Sequence, residues 1–176
     1  MNIKTLQSSP IYQGKVFTVR QDQVQLPSGK IARLDIVQHH GAVVILPVED
    51  NRIWFVRQYR HAAGEILLEL PAGTLEPSED GETSAYREIR EEIGMAAGQL
   101  KMIGEFFLAP GYSTEYLQIF IARDLTPAPL PQDEDELITV EKIPVEEAYQ
   151  LAFRGELRDA KTLAALLLAQ PLLIGG

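Results

Sequence analysis

A mixed-sheet α+β fold, layered as an α-β-α sandwich, is the class this sequence predicts, and three observations predict it. Strand-like and helix-like runs are interleaved without the strict alternation of a parallel α/β protein. Helical periodicity is confined to one internal segment and the end of the chain. The 176 residues are 45% apolar and 23% charged, which suits one globular domain over 1–176 with a core of its own.

The elements follow in order. Residues 16–19 and 23–26 read as strands, Pro27-Ser28-Gly29 as a turn, and 31–37 as a strand with apolar residues at 31, 34 and 36. Residues 42–48 and 52–59 are β-rich runs joined across Glu49-Asp50-Asn51 as a hairpin. A short strand at 67–70 stops at Pro71-Ala72-Gly73. The acidic, Pro- and Gly-containing loop 76–82 leads into a helix over 84–93, with Thr83 as N-cap and Gly94 just past the end. Strands at 102–108, 116–122 and 138–142 precede two terminal helices, 145–154 and 160–170, the second packing through Leu163, Leu166 and Leu167. The run 127–136, Pro-rich and then acidic, reads as a mobile loop inside the domain.

Charge and composition exclude several function classes. Lys and Arg number 16 against 25 Asp and Glu, a net charge of −9, and such a surface repels nucleic-acid backbones. A phosphate-bearing ligand would need local arginines or a metal. The chain has no cysteine, so disulfides, thiolate zinc sites and a cysteine nucleophile are out. The first ten residues lack a signal-peptide core, and the longest apolar tract, 163–174, is too short to span a bilayer and is interrupted by Pro171. A cytoplasmic protein without a membrane partner is expected. His39, His40 and His61 lack metal-ligand spacing, and Trp54 in an apolar strand reads as core.

The segment that carries chemistry is 73–95. At 100° per residue, Ala85, Ile89 and Ile93 share one helix arc with Tyr86 beside it, and that arc faces the core. Glu88, Glu91 and Glu92 occupy the adjoining arc at i,i+3 and i,i+4 spacings, where like charges destabilise an isolated helix. Hard divalent cations reverse that sign, because they seek clustered carboxylate oxygens. The Pro71-Ala72-Gly73 turn can bring a backbone carbonyl toward the same ions.

Gly73, five residues, Glu79, seven residues, then Arg87-Glu88-Ile89-Arg90-Glu91-Glu92-Ile93-Gly94-Met95 resembles the signature of the Nudix hydrolases without a mismatch. Seven fixed identities at background frequency make a chance match rarer than about one in 10⁷ per window. The resemblance implies the Nudix α-β-α sandwich with an N-terminal β-hairpin arm. It implies hydrolysis of a nucleoside diphosphate linked to another group. It further implies Mg²⁺, with Mn²⁺ as substitute, held by Glu88, Glu91 and Glu92 with the Ala72 carbonyl, and Arg87 orienting a box glutamate, either Glu79 or Glu91.

The match extends beyond the box. Pro110, fifteen residues past Met95, with Gly111 and then Glu115, resembles the ADP-ribose pyrophosphatase subfamily. Arg57-Gln58-Tyr59-Arg60 ahead of Glu69-Leu70-Pro71-Ala72-Gly73 resembles its pre-box segment. The resemblance implies that Arg57 and Arg60 serve the substrate, Arg60 at the diphosphate or terminal ribose. It implies that residues 1–40, including Arg33, form a dimer arm that helps build the nucleobase site, with 41–176 as the catalytic core. The acidic run Asp133-Glu134-Asp135-Glu136 resembles the subfamily's base-bearing loop, with Glu136 the first choice of general base and Glu134 the second.

The expected activity is Mg²⁺-dependent cleavage of ADP-ribose to AMP and ribose 5-phosphate by a homodimer. GDP-mannose or another nucleotide sugar is the alternative substrate. A non-catalytic nucleotide-binding regulator is a third reading, weakened by an intact box.

Overall fold

The computed structural model describes residues 2–132 and 137–174. They fall into two compact units, Met1–Gly41 with Phe106–Tyr116, and Ala42–Glu105 with Leu117–Gly176.

The first unit is a three-stranded antiparallel sheet, β1 (Lys4–Gln13), β2 (Phe17–Gln25) and β3 (Ile31–His39), in that order. β2 and β3 pair in unbroken register from Phe17↔His39 to Gln25↔Ile31. They meet at the Pro27-Ser28-Gly29 turn, where Gly29 takes φ +82° and its amide bonds the Leu26 carbonyl at 2.8 Å. β1 lacks alternation and contains Pro10, so only its pairing with β2 makes it a strand; the register shifts around Leu6 and Ile11. Residues 16–19 and 23–26, which read as separate strands in the sequence, fall in the single strand β2 except for Val16 and Leu26 at its two ends. The segment around Ser113 lies beside the end of β3, through Val37 N–H to the Tyr112 carbonyl (2.8 Å) and Thr114 N–H to the Val37 carbonyl (2.9 Å).

The second unit is a sandwich. Its sheet contains β4 (Ala42–Glu49), β5 (Arg52–Arg60), β8 (Met95–Phe107), β9 (Tyr116–Pro127) and β10 (Ile138–Pro144) in the order β10-β5-β4-β9-β8. Two short strands attach to this path: β6 (Glu65–Glu69) on β5 and β7 (Ala72–Thr74) on β4. β4 runs parallel to β9 and antiparallel to β7, so the sheet is mixed. The β4–β5 hairpin turns through Asp50 (φ 49°) and Asn51 (φ 58°), the doubly left-handed geometry that suits strand twist. Only Val48↔Ile53 and Glu49↔Arg52 pair beyond it before the strands part.

Helix α1 (Gly81–Glu92) packs Ala85 and Ile89, with Ile93 just beyond, onto Val43, Ile45, Trp54, Val56, Phe120 and Ala122. The intervening β4 residues Val44 and Leu46 alternate to the other face, where α3 (Ala160–Leu173) packs on β4 and α2 (Val145–Phe153) on α3. Leu166 is buried and Leu163 half-buried, but Leu167 is 69% exposed: α3 buries a narrower stripe than the spacing predicts. Among the described residues no helix is long and apolar enough to cross a membrane.

Candidate active site

The site is built on a turn and a helix. Helix α1 starts one turn earlier than the sequence suggests, because Asp80 caps it and accepts the Thr83 amide at 2.8 Å. Thr83 lies inside the helix and is not its cap. At the other end Gly94 takes φ +71°, the left-handed closure expected there. The early start places Gly81 beneath Gln118, whose amide fills the space a Cβ would need.

Arg87 is the hub of the box. Nε and Nη2 grip Glu79 at 3.0 and 2.9 Å, Nη1 reaches Glu88 and Glu91 at 2.7 Å each, and Nη2 also reaches Ser84 Oγ at 3.3 Å. Each of its five N–H donors thus has an acceptor. The sequence leaves the choice of partner open between Glu79 and Glu91; the structure shows both, and Glu88 as well. The grip of Arg87 holds the Glu79 carboxyl below its ordinary value against an opposing push from burial, and it raises Arg87 in turn.

Glu88 and Glu92 are 8% and 2% exposed, unusual for carboxylates on a helix. Glu92 Oε2 accepts the Ala72 amide at 3.1 Å, tying the helix to the turn. A Cβ on Gly73 would land inside the Glu88 carboxylate, so only glycine lets that carboxylate lie against the turn backbone beside Ala72. Among the described residues no three His, Asp or Glu side chains converge as a ready metal cluster. Glu88 and Glu91 turn to Arg87, which relieves the repulsion between them. The donor set is nevertheless all hard oxygen, three carboxylates and the Ala72 carbonyl within one turn and one helix face, and it fits a divalent cation of the magnesium type.

The turn is buttressed from behind. Glu69, at the end of β6, is 1% exposed and accepts Arg60 Nε and Nη2 at 2.8 Å each, and Lys161 Nζ. Asp159 pairs with Lys161 at 3.0 Å and caps α3 through Thr162 N–H at 3.0 Å. Thr162 Oγ1 donates to Asp159 at 2.6 Å and accepts the Leu70 amide at 2.8 Å. Burial pushes the Glu69 carboxyl upward, but the Arg60 hydrogen bonds and the Lys161 charge outweigh it and leave it lowered. The sequence suggests Arg60 for the substrate and gives no hint of this partner.

The other expected residues are more scattered. Arg57 lies on β5 with Nε 2.6 Å from Glu141 on β10, both side chains exposed. Arg33 lies on β3 and lines a polar cleft of about 220 Å³ with Gln7, Ser9, Gln21 and Gln23. Pro110 and Gly111 sit in an exposed turn closed by Ser113 N–H to the Ala109 carbonyl at 2.9 Å. Glu115 follows, its amide bonded to Ser113 Oγ at 3.1 Å. Arg33, Pro110, Gly111 and Glu115 belong to the first unit and the box to the second. Glu134 and Glu136 lie outside the described residues. The Pro-rich stretch before them is not a loose loop: Ala128 N–H bonds the Gly94 carbonyl (2.9 Å), Arg90 Nε the Ala128 carbonyl (2.9 Å) and Leu130 N–H the Arg90 carbonyl (3.1 Å), pinning it to the end of α1. Sequence reasoning misses Glu69, Lys161, Asp159 and Thr162; the Asp159-to-Thr162 spacing, a helix start, is the only local signal they carry.

The NUDIX domain model matches residues 38–166, and the model of the nucleoside diphosphate sugar hydrolase N-terminal domain matches 3–33. An ADP-ribose pyrophosphatase of Bacillus subtilis strain 168 is 37% identical over 166 residues, 93% of this chain and 90% of that protein. A GDP-mannose pyrophosphatase of Salmonella arizonae is 32% identical over 177 residues, 92% of each chain. A crystal structure of an ADP compounds hydrolase superposes with a TM-score of 0.88 at 24% identity, covering 99% of this chain and 96% of that one, a likeness of fold.

Proposed function

The chain belongs to the NUDIX domain family as a Nudix hydrolase, and from that premise we propose that it cleaves the pyrophosphate bond of ADP-ribose with Mg²⁺. The observation that carries this reading is the buried pair Glu88 and Glu92 folded against the Ala72-Gly73 turn inside an intact box.

Glu88, Glu91, Glu92 and the Ala72 carbonyl would hold the cations. Bound there, divalent ions supply charge neutralisation of the diphosphate and acidify a water. Arg87 keeps the box carboxylates oriented toward one another. Glu136, or Glu134 if the register is shifted by two, removes a proton from the attacking water. The water oxygen attacks one phosphorus, the bridging P–O bond breaks, and the products are AMP and ribose 5-phosphate. Arg60 grips the diphosphate with donors that Glu69 leaves over, since guanidinium recognises phosphate through paired N–H groups. Arg57 serves the same end of the ligand. Arg33, Pro110, Gly111 and Glu115 serve the nucleoside and the terminal ribose, with residues 1–40 reaching a second copy of the chain in a homodimer.

GDP-mannose is the second reading, favoured by the Salmonella relative. A panel of ADP-ribose, GDP-mannose and other nucleotide sugars, assayed with Mg²⁺ for AMP, GMP and sugar phosphate, separates them. AMP and ribose 5-phosphate are expected at the highest kcat/KM. Faster release of GMP from GDP-mannose would replace the first reading with the second.

A further inference from the structure

We infer that Glu69 is a positioning residue for this reaction, aiming Arg60 at the diphosphate while, through Lys161 and the start of α3, it holds the turn that carries the Ala72 carbonyl. The inference rests on the reading that Arg60 meets the substrate.

A carboxylate 1% exposed is an expensive way to fill space. Exchanging a buried ion pair for apolar residues is often neutral or stabilising, so folding alone gives little reason to keep one. The pair here is asymmetric. Glu69 is sealed, whereas the Arg60 side chain remains 39% exposed. Nε and Nη2 of Arg60 both bind Glu69, which fixes the guanidinium plane as a fork on a carboxylate. Nη1 donates to no other described residue. The free edge of a held cation is thereby presented outward. The guanidinium also feels the charges of Glu92 and Asp159, which places it within electrostatic reach of the box.

The other half of the device fixes the backbone. Over five consecutive residues every tie is specified. The Glu69 side chain is held by two cations, and the Leu70 amide by Thr162. The Pro71 carbonyl accepts Ile45 N–H at 2.8 Å, the Ala72 amide binds Glu92, and Gly73 abuts Glu88. Arg60 and Ala72 therefore share one anchor, and a shift at Glu69 moves both.

The test is a kinetic cycle on the full-length enzyme with ADP-ribose and saturating Mg²⁺, alongside thermal melting. Arg60→Ala and Glu69→Gln are each expected to raise KM roughly 10–100-fold, the range that follows from removing or misaiming one charge-assisted hydrogen bond, with a smaller effect on kcat. The double variant should be no worse than the poorer single, because one substitution already removes what the other supports. Arg60→Lys keeps the charge but lacks the fork, and should raise KM as well. A purely structural Glu69 would lower the melting temperature and the active fraction while leaving KM alone. That result, or effects that multiply in the double variant, overturns the inference. If Glu69→Gln does not fold, Lys161→Met decides: it leaves the Arg60–Glu69 fork in place but unties it from α3, and wild-type KM in both Lys161→Met and Arg60→Lys rejects the proposal. Failure of the substrate reading is distinguishable, since it shows as no turnover of ADP-ribose by the wild-type enzyme. The same cycle is then read on the nucleotide sugar that the panel turns over.

Discussion

The two units of this protein solve the burial problem in opposite ways. In the second, β4 is buried from Ala42 to Val48, and the carboxylates that go inside are met: Glu88 by Arg87, Glu69 by Arg60 and Lys161, and Glu92 by the Ala72 amide. In the first, Val24 is the buried apolar residue of the sheet, whereas Ile11, Tyr12, Ile31 and Leu34 are 43–65% exposed. Burial accounts for the stability of the second unit on its own terms. A three-stranded sheet with its large apolar side chains in water has no such account, and sheets of this size need a covered apolar face. The difference teaches where each proposed role has its physical basis: the box lies in the unit that closes on itself, and the proposed association would cover the apolar side chains of the unit that does not.

The strongest way to sharpen that contrast is Glu92→Gln. The amide keeps the shape and the helix propensity but is a poor ligand for a hard cation, so kcat should fall about 10³-fold or more, the equivalent of several kcal/mol of lost transition-state stabilisation. The melting temperature and the oligomer mass should hardly move. Near-normal turnover at saturating Mg²⁺ would remove the metal role from the box.

Glu136→Gln should follow, with kcat lowered roughly 10²–10⁴-fold at near wild-type KM, the usual worth of a general base. A silent Glu136→Gln beside a crippled Glu134→Gln shifts the assignment by two residues. Full rates in both singles and in the double variant move the search to Glu115. Because Glu115 belongs to the first unit, that result would break the division of labour itself.

Association comes next in size. Light scattering of the wild-type protein at micromolar concentration should give near twice the 19.6 kDa chain mass, and Ile11→Asp with Leu34→Asp should bring it to the monomer and raise KM. A wild-type mass near that of one chain would leave the bare sheet without the role proposed for it.

The smallest effect is on the acid side of the stability profile. Glu69 and Glu79 both have folded-state pKa values lowered from 4.5, so the stability they contribute is complete above that value and is lost as pH falls through the lowered ones. Melting temperature should therefore be flat with respect to these groups near neutrality and decline below about pH 4.5, less steeply in Glu69→Gln. An equal acid decline in that variant would remove Glu69 from the account.

What is legible in the sequence is local. The core face of α1 and the adjoining glutamates follow from helical spacing within one segment. The Asp50-Asn51 hairpin follows from turn chemistry. The sequence reading puts the cap at Thr83 and the structure puts it at Asp80, because nothing in the sequence alone shows that the helix can begin under Gln118. β1 escapes a reading by pattern because Lys4–Gln13 has no apolar alternation; its partner strand makes it. The Arg60–Glu69–Lys161 cluster joins residues 9 and 92 positions apart, and no periodicity links them. Leu167 shows the converse error, a residue with core spacing on a helix that buries less than its pattern allows.

The tied turn has a consequence for how chains of this design can diverge. Between Glu69 and Gly73 each residue answers to a different neighbour, so one inserted or deleted residue would put every later group out of step at once. The exposed turn 61–64, closed by Gly64 at φ +71°, carries no such obligations and lies at the far end of the same hairpin. Length variation should therefore accumulate at 61–64, where added residues cost little, and be excluded between Glu69 and Gly73. The spacing from Glu69 to Gly73 acts as a ruler, and the loop before it absorbs the slack.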